Sequence, residues 1–231
     1  TELEKHGQRT CLPDRGGTIG GAIAVGENDL NMLGKGRIRD SVLQLRYVSA
    51  GGEIITSGAP VVKNVSGFNL HKLMVGSFGT LGLFAEVSLR TNPIPPSSRW
   101  ITAASKDPQK VFDNVYKPSA ILWDGETVWV HLEGHRLDVE KQTKKLLNMG
   151  NYEEVEGAPG LPRYRWSLSP SDAIKIDRSE TGNFVASIGV GIVWADRQQP
   201  QKAIDPVVTK ITTALKTEFD PSGRLNPGRH I

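Results

Sequence analysis

An α+β fold built on an antiparallel sheet layer is predicted by three features of the sequence. Short alternating apolar runs and helical periodicities follow one another without the long parallel crossovers of a doubly wound sheet. A hairpin pattern with a Gly-Gly turn lies between two glycine-dense segments. Three prolines within Asn92 to Arg99 then divide that part of the chain from one of different texture.

Taken in order, Gly16, Gly17, Gly20, Gly21, Gly26, Gly34 and Gly36 form the first glycine group. Val42 to Val48 alternates as a strand, Ala50 to Gly52 turns, and Glu53 to Thr56 returns. Asn69 to Val75 reads as a short helix with Asn69 as N-cap and Gly76 as its stop. Leu83 to Arg90 reads as the next strand. The proline-rich connector is expected to be stiff, to pair with no ladder, and to mark a domain boundary. Beyond it come a strand at Trp100 to Ala104, a helix at Asp107 to Lys117, and strands at Ala120 to Trp123 and Val128 to Glu133. A periodic helix at Leu137 to Met149, a strand at Phe184 to Trp194 and a helix at Ala203 to Glu218 complete the pattern, which suits a ferredoxin-like layer.

The 231 residues, 38% of them hydrophobic, suffice for one large or two modest globular domains. The single Cys11 rules out an internal disulfide or a cysteine zinc cluster and suits a reducing compartment, so a cytoplasmic location is expected. A balance of 28 basic against 25 acidic residues leaves +3, a weak field. The basic residues are scattered, densest at Lys35, Arg37 and Arg39, without interleaved aromatics, so no nucleic acid is expected. No apolar run approaches 18 residues and no signal-peptide order is present, so neither membrane insertion nor secretion is expected.

Three motifs could carry chemistry. Thr18-Ile19-Gly20-Gly21 followed by small residues suits a helix start that a diphosphate could approach, or a plain turn. Gly76 to Leu83 holds glycines in excess of a simple connection, with Thr80 offering a hydroxyl beside a backbone that a planar ring could lie along. Its alternative is a bulged strand entry. In Phe219 to Arg229, Asp-Pro and Asn-Pro-Gly form consecutive turns that would bring the Asn226 amide back to a pocket.

In this shared order, Pro13-Asp14 with TIGG, Gly34 to Asp40, the hairpin, KNVSGFNL at Lys63 to Leu70, Gly76 to Leu89, and the terminal FDPSGRLNPGR resemble the FAD-linked oxidases of the vanillyl-alcohol oxidase and PCMH type. The likeness is nearest to the smaller, E-type FAD-binding subunit of bacterial glycolate oxidases. It implies the second half of a PCMH-type FAD-binding domain over residues 1–95, a ferredoxin-like antiparallel cap over 96–216, and a tail, 217–231, that returns to the flavin. Pro13, Asp14, Thr18, Ile19, Gly20, Gly21, Ala24 and Val25 would line the flavin and its diphosphate. Gly79, Thr80, Leu81, Gly82 and Leu83 would hold the adenosine side by backbone contact, and Asn226 would face the ring. No His or Cys stands at a covalent attachment position, so FAD would be held noncovalently, and Phe68 stands where relatives often have tyrosine.

The resemblance further implies hydride transfer from a 2-hydroxy acid such as glycolate to the flavin. Its partners would be a larger flavin subunit and an iron–sulfur subunit, with any membrane association through them. The first half of the family's FAD domain has no counterpart before Thr1, so the chain alone is expected to bind FAD weakly or not at all and to be inactive. Rival readings are a non-catalytic assembly subunit and a basic nucleic-acid module. The catalytic base has no candidate. His131 and His135, on a strand and beyond Gly134, are expected to be structural rather than a helical metal pair. Arg163, Arg165 and Trp166 suit either a carboxylate fork or surface ion pairs. Trp123, Trp129 and Trp194 are expected in the core, Asp177, Arg178 and Glu180 in a solvated loop, and Cys11 as an inert thiol.

Overall fold

The computed structural model describes residues 2–14, 16–61, 69–201 and 204–229. Most of the KNVSGFNL motif, Phe68 included, and His230 lie outside the described residues. The chain divides into two units. One comprises the described residues of Thr1–Asp29, Gly36–Pro93 and Lys202–Ile231, the other Leu30–Lys35 and Ile94–Gln201.

In the first unit, β1 (Gln8–Arg9), β2 (Val42–Val48), β3 (Ile54–Gly58), β4 (Leu83–Leu89) and β5 (Asn92–Pro93) form two antiparallel sheets, β1-β5 and β3-β2-β4. The hairpin closes with Ser49 N–H on the Glu53 carbonyl, and Gly52 takes the left-handed turn position at φ +87°. The expected alternation of β2 is shifted by a register irregularity between Val42 and Gln44 opposite β4, so Val42, Leu45 and Tyr47 all reach the core. Ile23, Ile38, Met74 and Leu81 pack with them, and Phe219 seals the cluster.

The connector does enter a ladder, contrary to expectation: Pro93 stands opposite Gln8 and Asn92 opposite Arg9. A proline is tolerated there because a two-stranded sheet is all edge, and the missing N–H can face away from the partner.

The second unit holds β6 (Ser97–Ala104), β7 (Ala120–Trp123), β8 (Thr127–Gly134), β9 (Tyr152–Val155), β10 (Tyr164–Ser167), β11 (Phe184–Ser187) and β12 (Ile192–Ala195). They form one antiparallel sheet in the order β10-β12-β11-β7-β8-β6-β9. Within it, β6, the helix Pro108–Asn114, β7, β8, the helix Arg136–Asn148 and β9 make a βαββαβ unit whose strands lie fourth, first, third, second. That is the ferredoxin-like order.

Asp107 caps the first of these helices on the Lys110 N–H at 3.0 Å. Val139 and Leu146 of the second are buried with Ile101, Ile121, Val130 and Leu132 of the sheet. On the opposite face, Leu122, Val185 and Trp194 are buried, with Trp100 and Trp129 packed against them. The run from Phe184 to Trp194, expected as one strand, is a hairpin, because Gly189 and Gly191 take φ +77° and +84°. Asp177 is not part of a plain loop: its carboxylate caps the turn Arg178–Thr181.

Two pieces fall elsewhere than the expected 1–95, 96–216 and 217–231 partition. The helix Pro206–Phe219 groups with the first unit, where Phe219 joins the core and the Lys216 ammonium donates to the Thr80 carbonyl at 2.9 Å. Leu30–Lys35 groups with the second, where Asn31 Oδ1 lies 2.6 Å from His131 Nδ1 and Gly34 N–H donates to the Ser119 carbonyl. Contacts across such sequence separations leave no local signature.

Candidate functional site

The helix Ile19–Val25 begins as the motif suggests: Thr18 is extended at φ −107°, and its hydroxyl accepts the Gly21 N–H at 3.0 Å. Gly26 ends it in the left-handed region at φ +70°. Only glycine fits there, since a Cβ would stand 2.9 Å from both the N and Cα of Gly76. That closeness lets the glycine loop run against the helix by main chain alone. Gly76 N–H donates to the Ile23 carbonyl at 3.0 Å and Phe78 N–H to the Ala24 carbonyl at 2.8 Å.

The tail is fixed by Asp220, whose side chain is fully buried. Its carboxylate accepts the N–H groups of Arg224 at 2.9 Å and Leu225 at 2.7 Å, and the Lys216 ammonium at 2.6 Å. Burial opposes its ionisation, but the Lys216 ammonium and the Leu225 and Arg224 N–H groups outweigh this and hold the carboxyl down to about 2. Asn226, left-handed at φ +43°, donates its amide to the Phe78 carbonyl at 2.6 Å. The Arg229 guanidinium lies over the Phe78 ring at 4.1 Å.

Helix start, glycine loop and tail thus enclose one cavity of about 490 Å³ within the first unit. Of the residues singled out in the sequence, Thr18, Gly20, Gly21, Ala24, Gly79, Gly82, Leu83 and Asn226 line it. A second, mostly apolar hollow of about 250 Å³ shares Thr18 and Gly21 and adds Pro13 and Val25. Asp14, Ile19, Thr80 and Leu81 line neither.

The expectation for Thr80 needs correction. It is buried, and its hydroxyl donates inward to the Ser77 carbonyl at 2.6 Å, closing the turn instead of facing a ligand. Leu81 is likewise spent on the core, and Ile19 is 54% exposed.

Sequence reasoning missed Phe84, Arg224 and Leu225 as wall residues. The pair of turns marked the segment but not which of its side chains would reach the wall. Arg224 brings a basic residue to a wall that also holds Gly20, Gly21, Gly79 and Gly82, beside main chain that a large ligand can approach closely.

Elsewhere the chemistry-bearing side chains are tied up in structure. His131 is buried, stacked on Trp100 with ring centroids 4.3 Å apart, and bonded between Ser98 and Asn31. Arg165 lies in β10 opposite Trp194. Cys11 is buried 2.9 Å from the Ser41 hydroxyl, and burial raises its pKa. Among the described residues, no group of three or more His, Cys, Asp or Glu could hold a metal ion, and no helix is long and apolar enough to cross a membrane.

No family model matches the chain. It is similar to glycolate oxidase subunit GlcE of Escherichia coli K12, 28% identical over 274 residues that take in 98% of this chain and 77% of that protein. A shorter stretch, 37% of the chain, is 39% identical to a D-2-hydroxyglutarate dehydrogenase of Xanthomonas citri and covers 18% of it. Among solved structures, an alkyldihydroxyacetonephosphate synthase matches 98% of this chain at TM-score 0.66 and 14% identity, a likeness of fold. The chain spans 62% of that protein. The resemblance drawn from the motifs is borne out: the chain is similar to a glycolate oxidase subunit along nearly its whole length, and its α+β fold is like that of the synthase.

Proposed function

From that kinship with the FAD-linked oxidases, we propose that the chain is a subunit of a flavoprotein that oxidises a 2-hydroxy acid such as glycolate, and that its glycine-walled cavity holds FAD without a covalent bond. One observation carries the reading. Three segments far apart in sequence, each carrying one of the three motifs, meet at one cavity of a size usual for small-molecule sites.

The residues present suit the cofactor. Gly20, Gly21, Gly79 and Gly82 add no side chain to the wall, and at Gly79 no atom lies within 4 Å of where a Cβ would stand, whereas at Gly82 a Cβ would meet the Tyr47 ring at 2.6 Å. Main-chain groups can therefore reach a planar or phosphorylated ligand, Arg224 can oppose its negative charge, and the Asn226 side-chain Oδ1 can accept beside the amide nitrogen already given to Phe78. Bound there, FAD would supply the acceptor for the hydride leaving the substrate's α-carbon. The chain's own part is to bind and orient.

Similarity to a protein named as a glycolate oxidase subunit supports a complex, in our reading with a larger flavin subunit and an iron–sulfur subunit. Such a complex would be cytoplasmic, with any membrane association through those partners.

Acid precipitation of the purified full-length protein should release intact FAD, and reconstituted complex should reduce a dye acceptor when given glycolate. Leu83→Asp, on a side chain 66% exposed, should leave the fold intact and lower flavin uptake. A full-length protein that neither carries nor takes up FAD would overturn the proposal. Unchanged turnover of the complex with Leu83→Asp would point instead to an assembly role.

A further inference from the structure

We propose that Lys216 and Asp220 are positioning residues for the cavity: together they form a clasp that holds the Arg224–Asn226 wall in register with the Gly79–Leu83 wall. Its consequence for cofactor binding rests on the flavin reading; the clasp itself rests on geometry alone.

The Lys216 ammonium has three protons to give, and it gives each to a different element. One goes to the Thr80 carbonyl in the glycine loop at 2.9 Å, one to Asp220 Oδ2 at 2.6 Å, and one to the Leu225 carbonyl in the tail at 2.8 Å. Asp220 completes the arrangement from the other side. Its Oδ2 also accepts the Leu225 N–H, and its Oδ1 accepts the Arg224 N–H and, at 3.4 Å, the Ser222 hydroxyl.

An ordinary exposed i,i+4 pair would spend its bonds on itself and contribute little. Here the bonds fan out to the main chain of both walls, and the carboxylate is fully buried. Neither residue lines the cavity, yet each is one hydrogen bond from residues that do. The tail needs such an anchor. Asn226 takes left-handed backbone at φ +43°, uncommon for a residue with a side chain, which a free tail would not maintain. The Asn226 amide reaches the Phe78 carbonyl only while that path is held.

Two variants of the full chain test this. Lys216→Met keeps the stem and removes the donors. Asp220→Asn keeps the shape but replaces one acceptor oxygen with a donor that must face an ammonium or an N–H. Amide exchange at 78–82 and 224–226 should accelerate together in both variants, while the amides of β2 keep their protection. FAD affinity, read by flavin fluorescence, should fall roughly ten- to a hundredfold, the effect of losing a charged hydrogen bond.

Because Lys216 acts through the tail, adding Asn226→Ala to Lys216→Met should cost little more than the worse of the two single changes. Arg46→Ala, which breaks the exposed pair with Glu86, should change none of these readouts. Unchanged exchange at both walls, or losses that add in full, would overturn the clasp. Should the full-length parent protein fail to bind FAD while both variants still loosen the two walls together, the flavin reading falls and the clasp stands. If either variant loses β2 protection as well, Lys216→Arg takes its place, with partial loosening of both walls expected and none contradicting the proposal.

Discussion

Replacing Gly79 and Gly36 separately with alanine distinguishes a wall that binds from a wall that merely folds. Both glycines are left-handed, at φ +73° and +84°, and neither has an atom within 4 Å of the position a Cβ would take. Alanine in that conformation costs about 1–2 kcal/mol, offset by about 0.4–1 kcal/mol from a stiffer unfolded chain. Each variant should therefore lose about 1 kcal/mol and melt about 2–4 °C lower.

Only Gly79 lines the cavity. Its new methyl group would hold a ligand off the main chain, and losing one hydrogen bond in that way weakens binding about tenfold. Fluorescence titration of the full-length protein with FAD should show that loss for Gly79→Ala and wild-type affinity for Gly36→Ala. Equal affinities in the two variants, or melting losses that differ by more than about 5 °C, would refute the reasoning.

Gly26→Ala should be more damaging than either, because its Cβ meets Gly76 backbone at 2.9 Å and would part the Gly76–Ile23 and Phe78–Ala24 bonds. Urea unfolding should register a loss of about 3 kcal/mol, with the two bonds worth about 1 kcal/mol each. Asp220, held at about 2 against an ordinary 3.8, stabilises the fold above the latter value and ceases to do so as the pH falls through about 2. Exchange at Arg224 and Leu225, corrected for the intrinsic rate, should be flat from pH 8 to 5 and rise between pH 4 and 2. Cys11, 1% exposed with its pKa raised by burial, should resist a thiol reagent at pH 8 until urea is added.

Local chemistry made much of this protein legible. Thr18-Ile19-Gly20-Gly21 suits a helix start as well as a plain turn, and the Gly-Gly turn predicts the hairpin, because both depend on residues a few positions apart. Strand and helix periodicity sufficed for βαββα, but the strand that completes the unit, β9 at Tyr152–Val155, was not among the expected ones. What escaped reading depends on distant partners. The grouping of the helix Pro206–Phe219 follows from a lysine bonded to a loop over a hundred residues earlier, whereas the inward turn of Thr80 onto the Ser77 carbonyl, three residues back, is local. Pro93 was misjudged because proline excludes a central strand but not an edge. At the cavity, glycines were readable because their scarcity of side chain is itself the signal. Arg224 was not, since an arginine between turns looks the same on a wall as in solvent.

All of this converges on the claim that the Thr18 helix start, the Gly79 loop and the returning tail grip one flavin nucleotide. Amide exchange of the full-length protein with and without FAD tests it most directly. Protection should appear together at 18–24, 79–83 and 224–226, with little change along β2. Protection confined to one of these segments, or absent from all three while FAD is bound, would contradict it.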